Sequence, residues 1–475
     1  MKIVILGAGP GGYVAAVRAA QLGAEVTLIE RDRLGGTCLN HGCIPSKILK
    51  KSADLIYDIE GAEEFGIRAD ARPLCSLPGV MSRKNAIIAS QQKGIQALLQ
   101  HNTVNTITGH GRLVGDHRLE YADERGQVQI LDWDRLILAT GSRPYSTPVL
   151  PLDGRHILSS NDALDLTRIP ASMIIVGGGV IGCELACIFS AFGTQITIVE
   201  GLDRLLPLPS IDRDCSRLLL REMKKRKITV LLSRTVTAVD SRTDGLAVTI
   251  GPSPAATGLK EKEKRIVQEQ AEKLLVCIGR RPNSDNLGLA GLGLAMDERG
   301  WIIVDEMMRT NLPDIYAIGD VLGPARVMLA HVASMEGEIA AENCLGAGKK
   351  MSYAVIPGAV FTRPEIGTVG LSEEEAGAHY HDARAETVLF RSTGKAHILG
   401  ELAGEAKIIF RAESGKILGL HIAGPNASDL IAEGALAIQM GAALNDLATT
   451  VHAHPTLAEI LREAALKAMG RPLHG

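Results

Sequence analysis

Short apolar, β-branched runs bounded by glycine recur along the chain and define its predicted elements. Residues 2–6 (KIVIL) read as a buried parallel strand, the Ala-rich stretch 13–22 as a helix stopped by Gly23, and 25–29 (EVTLI) as a second strand ending at Glu30. Gly7-Ala8-Gly9-Pro10-Gly11-Gly12 lies between the first strand and the helix. The same order returns as 173–176 (MIIV), Gly177-Gly178-Gly179-Val180-Ile181-Gly182, a helical stretch up to Phe192-Gly193, and the strand 195–199 ending at Glu200. Gly7, Gly9, Gly12, Gly23 and Glu30 recur 170 positions later as Gly177, Gly179, Gly182, Gly193 and Glu200, which predicts a duplicated module.

Each copy closes alike. Residues 136–144 (LILATGSRP) and 274–282 (LLVCIGRRP) are apolar strands running into a Gly-x-Arg-Pro exit, so Gly141, Arg143 and Pro144 answer to Gly279, Arg281 and Pro282. Segments 127–131 and 235–250 alternate as antiparallel strands do, and the charge-mixed run 260–273 reads as a solvated excursion. Strands at 407–410 and 417–422 precede an Ala-rich helix at 428–440, an α+β pattern suited to covering a sheet face with helices.

A strand, a glycine turn and a helix in this order suit a dinucleotide. Gly7 and Gly177 would make the tight turn, Gly9 and Gly179 would admit a pyrophosphate to the backbone, and Gly12 and Gly182 would allow close helix packing. Glu30 and Glu200 could accept hydrogen bonds from a ribose. Two such folds in one chain suggest two cofactors, because hydride commonly passes between a nicotinamide and a flavin.

The chain has 475 residues, which at ~150 per domain suggests about three domains. Its 51 Lys and Arg against 54 Asp and Glu remove the footprint of a general nucleic-acid or anionic-membrane binder and favour small-molecule partners. Glycine, at 51 residues, exceeds the ~7% of average usage, and the excess falls to turns and to backbone that approaches ligands. Eight cysteines are too few for a disulfide scaffold and the start shows no secretory pattern, so a cytoplasmic setting is expected. The longest apolar runs, 1–10 and 173–182, fall short of the ~18 residues a membrane helix needs.

Cys38 and Cys43 lie in GGTCLNHGCIPSK (35–47). If a helix begins there, they can meet across one turn, where its dipole would favour thiolate. A pair of buried inert thiols is the alternative; a zinc site lacks a second cysteine pair at ligand spacing, since Cys183 and Cys187 fall in the second nucleotide helix.

These motifs, with IYAIGDV (315–321) and HAHPTLAE (452–459), give the chain its resemblance to the FAD-dependent pyridine nucleotide-disulfide oxidoreductases, and within them to the dihydrolipoamide dehydrogenase branch. The likeness runs from residue 3 to about residue 460. It implies an α/β fold with two Rossmann-like domains, the first for FAD and the second for NAD, plus a C-terminal α+β dimerisation domain. The segments expected are 1–147 for FAD, 148–278 for NAD, 279–345 completing the FAD site, and 346–475 for dimerisation. Asp320 would hold the flavin's ribityl hydroxyls, and Gly36, Thr37, Lys47, Thr140, Gly141 and Gly279 would help to bind the cofactors. Cys38 would exchange with substrate and Cys43 would lie against the flavin, with Lys47 beside it paired to Glu184. His454 would be the acid–base group, oriented by Glu459 and facing the cysteines of the other subunit of a homodimer; His452 receives no role.

The implied reaction is dihydrolipoamide + NAD+ to lipoamide + NADH + H+. His454 deprotonates the dithiol, whose thiolate attacks Cys38 of a Cys38–Cys43 disulfide. Glu200 favours NAD, because a carboxylate repels a 2′-phosphate, but Arg204 lies four residues on. The lipoyl group is expected on a separate carrier protein, with no metal, nucleic acid or membrane involved. A reductase of another small disulfide such as a glutathione relative is the alternative, and a flavin redox sensor or assembly subunit a further one. A mercuric reductase is disfavoured by the ending KAMGRPLHG, and FRSTGKA (390–396) departs from the branch's usual Asn and Arg.

Overall fold

Burial on both faces explains why the predicted strands read as continuous apolar runs. In the computed structural model, which describes residues 1–68, 73–115, 117–122, 126–242, 245–259 and 261–474, the chain packs as two units. The first comprises Met1–Ile48, Pro78–Tyr145 and Gly279–Tyr353. Its parallel sheet has the order Ile315–Ala317, Arg135–Leu138, Lys2–Leu6, Glu25–Glu30, Asn105–Thr108. Ile3, Ile5, Leu136, Ile137 and Leu138 are fully buried, as a sheet covered on both sides demands. The helix Pro10–Gln21 packs on Ala330–Cys344 so closely that a Cβ on Gly337 would stand 2.4 Å from the Gly11 carbonyl oxygen.

The second unit comprises Leu49–Leu77, Ser146–Ile278 and Ala354–Gly475. Its parallel sheet runs Thr229–Leu231, Gln195–Val199, Ser172–Val176, Lys273–Val276, Ile157–Leu158. The duplication extends to register: Lys2 pairs with Glu25 and Leu6 with Ile29, while Ser172 pairs with Gln195 and Val176 with Val199. Each parallel sheet is accompanied by a three-stranded antiparallel one, formed by His110–Gly115, Arg118–Ala122 and Val128–Asp132 in the first unit. In the second unit it is formed by Arg234–Arg242, Gly245–Pro252 and Val267–Ala271.

That last strand corrects the reading of 260–273 as a mere excursion. Lys260 lies outside the described residues, Glu261–Lys264 is a helical turn, and Val267–Ala271 is an edge strand paired with 246–250. Its polar residues Gln268, Glu269 and Gln270 fit the edge, where most of its side chains face water and a charge discourages further pairing.

The C-terminal part of this unit is a five-stranded antiparallel sheet in the order Gly358–Val360, Glu365–Gly370, Ile417–Gly424, Glu405–Arg411, Ala383–Leu389. Helices Ala427–Gln439 and Glu459–Ala468 cover one face, where Ile408, Leu420, Ile431 and Ile460 share a core; Ile409 and Leu418 pack on the other with Ala376. Among the described residues no helix is long and apolar enough to cross a membrane.

Candidate functional site

The first glycine turn is shaped by backbone crowding. Gly7 has φ +100° and donates its N–H to Ile29 O at 2.8 Å, and a Cβ there would stand 2.3 Å from Ala139 O. A Cβ on Gly12 would stand 1.8 Å from Gly7 O, so the helix can begin this close only with glycine. At Gly9, the N-cap of that helix, a Cβ would meet nothing within 4 Å. The space over a helix N-terminus is open there, as an anionic phosphate needs. The backbone of Gly36 comes alongside, since a Cβ on Gly36 would be 2.6 Å from Gly9 Cα, and Thr37 follows it in the helix Gly36–His41.

The second turn repeats this. Gly177, with φ +108°, donates to Val199 O at 2.8 Å; a Cβ on Gly182 would be 2.0 Å from Gly177 O, and Gly179 faces open space. Both carboxylates brace their own turn. Glu30 accepts from Ala8 N (2.6 Å) and Asp32 N (2.9 Å), and Glu200 from Gly178 N (2.5 Å) and Leu202 N (2.8 Å), donors again 170 residues apart. Arg204 is committed elsewhere: it donates to Ile211 O and Leu208 O, each at 2.8 Å, and to Ser216 Oγ at 3.1 Å.

The two exits, distant in sequence, pair with one another. Ser142–Pro144 and Arg280–Pro282 form a two-stranded antiparallel sheet, with Arg281 opposite Arg143, and Gly279 O accepts from Tyr145 N at 3.1 Å. Asp320 Oδ2 accepts from Ser142 Oγ at 2.7 Å and lies 3.7 Å from Arg280 Nε, which itself donates to Ser142 Oγ at 2.6 Å. Burial pulls the Arg280 guanidinium down, opposed by the charges of Asp320 and Cys43. Asn283 clamps the ATG segment by donating to Thr140 O (2.9 Å) and Gly141 O (2.9 Å), and Thr140 Oγ1 is buried with no partner. Behind Asp320, buried Glu336 accepts from Gly319 N at 2.6 Å and Tyr353 Oη at 2.5 Å, and burial pushes its carboxyl up. Sequence reading missed Ser142, Arg280, Asn283, Glu336 and Tyr353. The first three sit inside ATGSRP and IGRRPN, so the motifs carried the signal, but pairing of the exits gives them their partners.

Cys38 and Cys43 do not share one helical turn. Gly42 (φ −146°, ψ −111°) interrupts the helix, leaving Cys38 in Gly36–His41 and Cys43 as the first residue of Cys43–Glu60. Their side chains meet across the break: the hydrogen bond with Cys43 and then burial push the Cys38 thiol well up, and the Lys47 charge pulls it down. Asn40 fixes the loop by donating to Leu34 O (3.0 Å) and Gly36 O (2.9 Å), and Gln92 donates to Asn40 Oδ1 at 2.6 Å. The other thiols are held neutral by burial, foremost Cys183, and Cys277 and Cys344 are pushed up to about 12.

Lys47 belongs to the first unit and Glu184 to the second, where Glu184 is buried and accepts from Phe361 N at 2.9 Å. His454 and Glu459 also belong to the second. His454 Nδ1 lies 3.0 Å from Glu459 Oε1, and Glu459 Oε2 accepts from Thr456 N at 2.9 Å. Burial opposes ionisation of Glu459, but the Thr456 amide, His454 and the charge of His452 outweigh it and hold the carboxyl below its ordinary range. Among the described residues, one cluster of carboxylates, Asp212, Asp214 and Glu373, is close enough to hold a metal, yet Lys407 Nζ stands among them, 2.9 Å from Asp212, 2.7 Å from Glu373 and paired with Asp214.

Comparison with known proteins follows the same outline. The family described as pyridine nucleotide-disulphide oxidoreductase matches residues 1–337, and its dimerisation domain matches 356–465. The chain is 39% identical to a dihydrolipoyl dehydrogenase of Haloferax volcanii and 40% identical to one of Geobacillus stearothermophilus, covering all of this chain and 97% of each relative. The crystal structure of LpdA from Mycobacterium tuberculosis superposes with a TM-score of 0.89 at 31% identity, over 98% of this chain and 99% of that one. Two register-matched glycine turns, a dimerisation domain and likeness along the full length agree, and the chain belongs to the pyridine nucleotide-disulphide oxidoreductase family.

Proposed function

We infer that the chain is a dihydrolipoyl dehydrogenase, oxidising dihydrolipoamide to lipoamide with NAD+. The observation that carries this reading is likeness at about 40% identity, over essentially the whole chain, to proteins of that name. FAD and NAD are its cofactors. The first turn fits the flavin dinucleotide, given the open space at Gly9 and the unpartnered Thr140 Oγ1, and Asp320 with Arg280 and Ser142 would hold its polar chain. The second fits NAD: the Glu200 carboxylate repels a 2′-phosphate, and Arg204, tied to its own loop, offers that phosphate no partner. When bound, the flavin takes up an electron pair and NAD+ accepts it as hydride.

The chain's own residues do the thiol and proton chemistry. With Nδ1 turned to Glu459, His454 has Nε2 left to take the substrate's thiol proton. The substrate thiolate bonds to Cys38 Sγ as the Cys38–Cys43 disulfide breaks, and Cys43 leaves as thiolate. The second substrate thiol then passes its proton to Cys38 as its sulfur bonds to the first and the Cys38–substrate bond breaks, so that Cys38 leaves as a thiol, the first proton stays on His454, and the cyclic disulfide departs. Lys47 and Glu184 would support the flavin side of this pair.

The chain carries a dimerisation domain. In our reading His454 of one subunit serves the cysteine pair of the other, the lipoyl group arrives on a separate carrier chain, and the enzyme works in the cytoplasm. The segments 1–147, 148–278, 279–345 and 346–475 are the corresponding functional divisions.

Lipoamide and glutathione disulfide, each assayed with both nicotinamides, test the reading. Turnover is expected with lipoamide and NAD(H), and preference for glutathione disulfide would overturn it. Cys38→Ser should keep its flavin and lose more than about 1,000-fold in dihydrolipoamide oxidation, because the disulfide that the substrate thiolate attacks can no longer form. Full turnover by that variant sinks the mechanism.

A further inference from the structure

We propose that His452 is a positioning residue of the acid–base site, a two-ended hydrogen-bond strut that fixes the segment carrying His454; the proposal rests on the dihydrolipoamide reading above. The two histidines differ in surroundings. The His454 side chain is 76% exposed and Val451 is 94% exposed, whereas the His452 side chain is only 6% exposed. His452 Nδ1 lies 3.1 Å from Thr450 O, and Nε2 lies 2.9 Å from Glu433 Oε1 on the helix Ala427–Gln439.

Both of these partners are acceptors. A neutral imidazole carries one N–H and can satisfy only one of them, so both contacts are made together only by the doubly protonated ring. With both ends engaged, the ring ties the 450–456 segment, which carries His454, to Ala427–Gln439. Near it stand Glu433 on that helix, Glu459 at the start of Glu459–Ala468, and His454 in its own segment. The charge of His452 is also among the influences that hold Glu459 ionised. An ionised Glu459 keeps the Nδ1 hydrogen of His454 directed to it, so Nε2 is presented to the substrate.

The test uses the flavin-loaded dimer and the variants His452→Gln, His452→Ala and Glu433→Gln. Two rates are compared across pH: dihydrolipoamide oxidation with NAD+, which needs His454, and NADH-dependent ferricyanide reduction, which does not. We expect kcat with dihydrolipoamide to fall about 10-fold in His452→Ala and less in His452→Gln, which keeps one donor. We also expect KM to stay within about two-fold and the acid limb of the kcat profile to move to higher pH. Glu433→Gln should move the profile in the same direction, with flavin content and ferricyanide rate unchanged in all three. An unchanged profile, or parallel loss of both rates with loss of flavin or of the dimer, would overturn the proposal by showing only a structural role. Unmutated protein that reduces ferricyanide with NADH yet fails with dihydrolipoamide would overturn the substrate reading, and this proposal with it.

Discussion

The two glycine turns match in strand register and in the backbone donors to Glu30 and Glu200, yet each is completed by a different part of the chain. The first sheet takes its fifth strand, Ile315–Ala317, from beyond the whole second copy, whereas the second takes Ile157–Leu158 from just before its own first strand. The helices differ too. Pro10–Gln21 buries five of its twelve residues and leans on Ala330–Cys344 through glycine, while Val180–Phe192 buries ten of thirteen, Glu184 included. The lesson is that a turn is a local solution, repeatable wherever the same glycines recur, and its surroundings are supplied from far away.

Glycine-to-alanine substitutions should break the equivalence most strongly. At Gly12 and Gly182 the added Cβ would meet a backbone oxygen at 1.8 and 2.0 Å, which no rotamer relieves. Gly12→Ala should emerge without flavin colour and without activity. Gly182→Ala should stay yellow and lose more than about 100-fold in NAD-linked turnover, as misplacement at a reaction centre does. A fully active, flavin-bound Gly12→Ala protein would break the match between the copies.

A smaller effect is expected at the carboxylates. Glu200→Ala should narrow the preference for NADH over NADPH by about 10-fold, or ~1.4 kcal/mol, while Glu30→Ala should weaken flavin retention and leave nicotinamide choice alone. Equal rates with both nicotinamides in the unmutated protein would remove the ribose role of Glu200.

The smallest effect concerns thiols, which burden the second copy. Cys183, Cys187 and Cys277 occupy places held by Tyr13, Val17 and Ala139 in the first. Burial raises all three, so the unfolded chain ionises them first, near the ordinary thiol value of about 8.5. Their contribution to stability is full below that pH and is lost as pH rises from there towards about 12 for Cys277. Denaturant melts between neutral and mildly alkaline pH should show this decline, reduced in a Cys183→Ala, Cys277→Ala protein. Alkylation of the reduced native protein should mark exposed Cys43 well before these three.

Much of this was legible beforehand because it depends on neighbours in sequence. The strands 2–6 and 195–199 have the bounds that their apolar runs set, and Glu459 opens a helix just after His454, as HAHPTLAE implied. Where partners lie far off, reading by motif fell short. The charge-mixed run hid the edge strand Val267–Ala271, since one solvent-facing side removes the apolar signal. The spacing of Cys38 and Cys43 suggested a single helical turn, but Gly42 breaks the helix between them. His452 looked like a bystander until Glu433, 19 residues earlier, proved to be its partner.

The sequence alone therefore determined the two turns, their helices and the family, because positive φ, the approach of Gly12 to Gly7 and of Gly182 to Gly177, and β-branched burial are conditions met by residues close together in the chain. Only the tertiary structure decided which strand completes each sheet, that the exits at 142–144 and 280–282 pair around Asp320, and that Arg204 is spent on its own loop. Hydrogen bonds act over about 3 Å of space, whatever the distance along the chain, so no local pattern encodes them.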